Sequence, residues 1–121
     1  MSYPGNRWLL ASISAAALVF GIVATAQAVD EEAARALAKQ SSCFKCHSVE
    51  KKKEGPPWNT ISEKHKDMAP ADLEAKLTHH ITSGEKVKFE DGHEEEHKII
   101  KSDDPAAIKN LVQWIMSLKA K

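Results

Sequence analysis

Two thiols and an imidazole stand together in Cys43-Phe44-Lys45-Cys46-His47, a C-x-x-C-H pattern that holds both cysteines of the chain. Thiols three positions apart on one turn can add to the two vinyl groups of a single haem, forming two thioethers. The adjacent imidazole is then held beneath the iron as its proximal ligand. Two other chemistries use the same residues. Cys43 and Cys46 could cycle as a redox disulfide, but that pattern normally follows a strand in a βαβ unit, and no such strand is evident here. Two cysteines with two of the six histidines could instead hold a structural zinc. No nucleophile–base pair and no phosphate-binding loop accompanies the motif.

The elements around the motif read as helices. Asp30 to about Gln40 opens with acids (Asp30, Glu31, Glu32) and sets Ala33, Ala34, Leu37 and Ala38 on one face, until Ser41-Ser42 breaks it. Gly55-Pro56-Pro57 must be a loop. Asn59 to about Lys66 suggests a short helix with Ile61 inward. Pro70-Ala71-Asp72 opens a helix carrying Leu73, Leu77 and Ile81, stopped at Ser83-Gly84. The stretch from Glu85 to Lys101 is charged and mixed, with a turn at Asp91-Gly92 and no strong strand pattern. The last helix is the best defined, with Asp104 as N-cap, Pro105 at its first position and a stripe of Ile108, Leu111, Val112, Ile115 and Leu118. The fold class expected is all-α, three to five helices around one cofactor.

Composition sets limits of its own. The chain has 121 residues, 17 Lys+Arg and 17 Asp+Glu, so it is neutral overall, which argues against nucleic acid as a partner. Residues 8–28 contain no charge, and 16 of these 21 residues are hydrophobic. With Arg7 before them and Ala26-Gln27-Ala28 at their end, residues 1–28 have the layout of a cleaved export signal. An uncleaved anchor is the alternative, since the run is just long enough to cross a bilayer. Either outcome delivers residues 29–121 to a periplasmic location as one domain. That domain holds 16 basic and 17 acidic residues and few apolar ones, so a cofactor is needed to complete its core.

Residues 29–119 resemble the small class I cytochromes c of bacteria. The resemblance rests on the first helix running into C-x-x-C-H, on Gly55-Pro56, on the central helix, and on the terminal helix Ser102-Asp103-Asp104-Pro105 through Lys119. It implies one covalent haem c on Cys43 and Cys46, with His47 as proximal iron ligand. It also implies that the first and last helices cross beside the attachment site. A backbone carbonyl at Pro56 would orient His47 through its other ring nitrogen, and Trp58 and Trp114 would pack around the haem and the helix crossing.

The departure from the family is the sixth ligand, because the loop before the terminal helix lacks the usual Met. Counting back from Ser102-Asp103 places that position at or beside His97. His97 is the residue expected as distal ligand, with His93 or Met68 as alternatives, and an open five-coordinate iron as a further one. His65 and His79 read as surface residues, and His80 as lining the pocket without ligating. The function expected is one-electron transfer between redox proteins that dock transiently at the haem edge, by a monomer and without catalysis. Lys45 and Lys51–Lys53 would face an acidic partner and Glu94–Glu96 a basic one. A respiratory or metal-oxidising chain is the setting expected. The rival function is a gas-binding or sensing haem protein with an open or weakly filled distal site.

Overall fold

A computed structural model describes residues 28–121, together with isolated positions at 16–18 and 21. The expected export segment and its cleavage box fall almost wholly outside the described residues. Among the described residues no helix is long and apolar enough to cross a membrane.

Four helices follow in chain order: α1 (Glu31–Gln40), α2 (Ile61–Lys64), α3 (Pro70–Thr82) and α4 (Pro105–Ser117). Two single 3₁₀ turns, Cys43–Lys45 and Trp58–Thr60, flank the loop of Gly55 and Pro56. The carboxylate of Asp30 accepts the Ala33 N–H and caps α1, and that of Asp104 accepts the Ala106 N–H and caps α4 ahead of Pro105. The start of α1 is also tied to α4 across 80 residues: Asp30 N–H donates to Asn110 Oδ1, and Asn110 Nδ2 donates to Asp30 O, both at 2.8 Å.

Helices α1 and α4 make the most extensive contact in the molecule. Ala34 and Ala38 are 1% and 0% exposed, and such small side chains let the two backbones approach closely. Leu37 joins them on α1; Ile108, Leu111, Val112, Trp114 and Ile115 are buried on α4. Ala33, expected on the buried face, is exposed, because at about 100° per residue it sits at the edge of the arc that Ala34, Leu37 and Ala38 bury. Leu73 on α3 is buried, and Leu77 and Ile81 pack against the same core from one side.

One element departs from the all-α expectation. β1 (Lys86–Lys88) and β2 (Glu94–Glu96) form a short antiparallel hairpin. Its signal was the Asp91-Gly92 pair, with Gly92 at φ +92°, a conformation glycine adopts without steric cost. The strands carry almost no β-branched residues. Their register sets Lys86 opposite Glu96 and Lys88 opposite Glu94, so opposite charges face each other across the pair. The fold remains helical, with this hairpin as an appendage between α3 and α4.

Candidate functional site: three histidines beside a paired-cysteine turn

The C-x-x-C-H segment begins where α1 ends. Ser42 adopts φ +61°, a left-handed conformation that turns the chain sharply into the Cys43–Lys45 turn. The Cys43 carbonyl then accepts the N–H groups of both Cys46 (3.2 Å) and His47 (3.0 Å). This tight turn presents the two thiols and the imidazole from one short arc. Both cysteines are free and half-buried. Burial raises the pKa of each above its ordinary value, with the neighbouring Glu54 carboxylate adding to the rise at Cys46. Thiols held protonated are the opposite of what a dithiol redox motif requires.

His47 is fixed from two directions. Its Nδ1 lies 2.9 Å from the Pro56 carbonyl, so Nδ1 carries the proton and donates it, leaving the Nε2 lone pair free. Trp58 stacks on its other side, with ring centroids 5.5 Å apart and planes 28° apart. Trp58 in turn meets the edge of Trp114 at 5.7 Å and 90°. The Gly55 N–H donates to Cys46 O at 2.7 Å, which draws the 55–57 loop against the motif. Gly55 is required there by contact, since an added Cβ would stand 2.4 Å from His47 Cε1.

Across from His47 stands His97, with ring centroids 6.2 Å apart. Its Nδ1 lies 2.9 Å from the Lys98 carbonyl, which again leaves Nε2 free. Burial lowers the pKa of both rings, and the neighbouring histidines lower that of His97 further, so both are neutral at physiological pH. Neutral imidazoles with the second nitrogen anchored are the form in which histidine binds a metal. The two ring planes are tilted by 49° to each other.

The other expected residues lie elsewhere. His93 stacks on Phe89 at 4.3 Å, pairs with Asp91 through Nδ1, and has Nε2 3.3 Å from Glu95 Oε1. Hydrogen bonding to Asp91 raises its pKa. Met68 lines a groove of about 600 Å³ with Leu73 and Met116, a groove whose lining includes neither His47 nor His97. Lys52 is ion-paired to Glu90, and Lys53 Nζ donates to Phe44 O, so two lysines of the 51–53 run are already engaged. Among the described residues no three His, Cys, Asp or Glu side chains close on one point, so a zinc site built from this chain alone finds no ligand set. His80, expected to line the pocket, has its ring centroid 4.0 Å from that of His97.

Residues 31–119 match the cytochrome c family. The chain belongs to that family. Among solved structures, the cytochrome is similar to the class 1 cytochrome MtoD from Sideroxydans lithotrophicus ES-1, at 59% identity and a TM-score of 0.68, covering 74% of this chain and 97% of that one. It is also similar to cytochrome c552 of Nitrosomonas europaea, at 29% identity and a TM-score of 0.54, covering 70% and 99%. An N64Del mutant of that same protein gives 29% identity and a TM-score of 0.55, covering 70% and 99%. No curated protein matches the chain. The cytochrome is a small class I haem electron carrier with one covalently bound c-type haem. The residues present fit that group: two unpaired thiols on one turn, and beside them a neutral imidazole whose outer nitrogen is free.

Proposed function

We propose that the cytochrome is an exported, periplasmic carrier of single electrons whose iron is held by His47 on one side and His97 on the other. Cys43 and Cys46 supply the thioether links. The observation that carries this reading is the facing pair of neutral imidazoles, 6.2 Å between centroids, each with Nδ1 on a backbone carbonyl.

When bound, the haem supplies a site that gains and loses one electron. The chain's own residues set its terms. The Pro56 carbonyl keeps the His47 ring in one tautomer and raises its basicity. Trp58 blocks rotation of that ring and excludes water from its flank. A second imidazole, rather than a thioether, favours the ferric state and lowers the midpoint potential. With His47 and His97 both holding the iron, no open site would remain for a substrate, and we infer an electron-transfer protein rather than an enzyme. Partners are redox proteins that meet a small exposed edge, as transient electron-transfer encounters do.

The test is a potentiometric titration of the mature haem-loaded protein, together with carbon monoxide addition to its reduced form. The reading predicts one reversible single-electron wave and slow, incomplete carbon monoxide binding. Rapid saturation would mean an open distal site and a gas-binding function.

A further inference from the structure

His97 has an imidazole on either side of it, His47 at 6.2 Å and His80 at 4.0 Å between ring centroids. His80 stands on the last turn of α3 with its ring centroid 4.0 Å from that of His97. Its Nδ1 is hydrogen-bonded to Glu85 Oε1, which leaves its Nε2 free like those of His47 and His97. The same Glu85 accepts the His97 N–H on its backbone carbonyl at 2.9 Å. Glu85 thus bonds the His80 ring through its side chain and the His97 backbone through its main chain. The Ile100 N–H donates to Ile81 O at 2.8 Å and anchors the chain at Ile100, so that only the residues before it can swing away from α3.

The two rings differ in how firmly their backbones are held. His80 belongs to a 13-residue helix that packs on α4. His97 follows a three-residue strand whose residues are all exposed, and Ile99 beside it is 56% exposed. Such short, solvated pairings open at low free-energy cost. The anchors differ too, since a carboxylate on Nδ1 makes the imidazole of His80 a stronger donor than a backbone carbonyl makes that of His97.

We propose that His80 is a reserve distal ligand, which takes the position of His97 when the segment carrying His97 moves away. This rests on the reading that His47 and His97 hold the iron. In the exchange the bond to His97 Nε2 breaks and one to His80 Nε2 forms. The iron would keep its oxidation state, one imidazole donor being replaced by another. The distal side then stays closed while the hairpin opens, which keeps small ligands off the iron during partner encounters.

The experiment compares ferric EPR spectra and near-infrared charge-transfer bands of the haem-loaded wild type, His97→Ala, His97→Gln and the double variant His97→Ala/His80→Ala. The expected result is a low-spin, bis-imidazole signature in both single variants and a high-spin spectrum in the double variant. A high-spin single variant overturns the proposal, and so does a double variant that stays low-spin, since another residue would then be the reserve. A wild type without the bis-imidazole signature would instead fail the underlying ligand assignment. A second measurement does not depend on removing His97. In reduced His80→Ala, carbon monoxide should bind several-fold faster than in wild type, because His80 no longer recaptures the iron. An unchanged rate overturns the proposal.

Discussion

Replacing Gly55 by alanine tests how tightly the 55–57 loop is drawn against His47. The new Cβ would lie 2.4 Å from His47 Cε1, 2.7 Å from Nδ1 and 3.0 Å from Nε2. Carbon atoms in contact rest about 3.5–4.0 Å apart, so ring or loop must retreat by about 1 Å. Crowding of that kind costs about 1–3 kcal/mol. The same movement breaks the 2.9 Å bond between His47 Nδ1 and Pro56 O, worth about 0.5–1.5 kcal/mol net. Against this, Gly55 does not adopt a positive φ, and alanine on an unstrained backbone gains about 0.4–1 kcal/mol by restricting the unfolded chain. The balance is a loss of about 0.5–4 kcal/mol, read by guanidinium unfolding of the haem-loaded protein. The midpoint potential should rise as well, because His47 without its carbonyl partner is a weaker donor to ferric iron. A Gly55→Ala variant as stable as wild type, with an unchanged potential, would refute the close approach and the role of Pro56.

Three further outcomes follow from the same structure. Asn110→Ala removes both 2.8 Å bonds to the Asp30 backbone and should cost about 1–2 kcal/mol in denaturant unfolding, with the haem spectrum unchanged. His47 and His97 both have folded pKa values below the ordinary 6.5, so the folded state binds fewer protons there than the unfolded chain. With iron on Nε2 both rings stay unprotonated in the folded haem-loaded protein, so stability declines as pH falls below about 6.5, where the unfolded chain takes up protons. Acid titration of unfolding free energy reads this, and a flat profile between pH 7 and about 5 would contradict it. Changing Glu94, Glu95 and Glu96 to Gln should raise the midpoint potential, by less as salt is added. Lys86 and Lys88 already face two of these acids, which limits the rise.

The helices were legible because each carries its own local instructions. Asp104-Pro105 marks the start of α4, its stripe at helical spacing gives the buried face, and Ser41-Ser42 ends α1 where the structure ends it. The paired thiols and His47 were legible from spacing alone. The hairpin was not, because its strands consist almost wholly of Lys and Glu with little to suggest a pleated surface, and its stability comes from pairing between residues six to ten apart. The convergence of His80 on His97 was hidden for a related reason. It depends on Glu85 bonding one ring through its side chain and the other residue through its carbonyl, and no periodicity encodes such a tie. His93 and His97 look alike in the sequence. What separates them is that Asp91 and Glu95 engage both nitrogens of the first, while burial beside His47 keeps the second neutral.

The most direct test of the central claim is the ferric EPR spectrum of the mature haem-loaded wild type, read with its near-infrared charge-transfer band. The facing His47 and His97 rings predict a low-spin signal and a bis-imidazole band. A thioether band would move the sixth ligand to a methionine, and a high-spin signal would leave the distal position open, either of which contradicts the account.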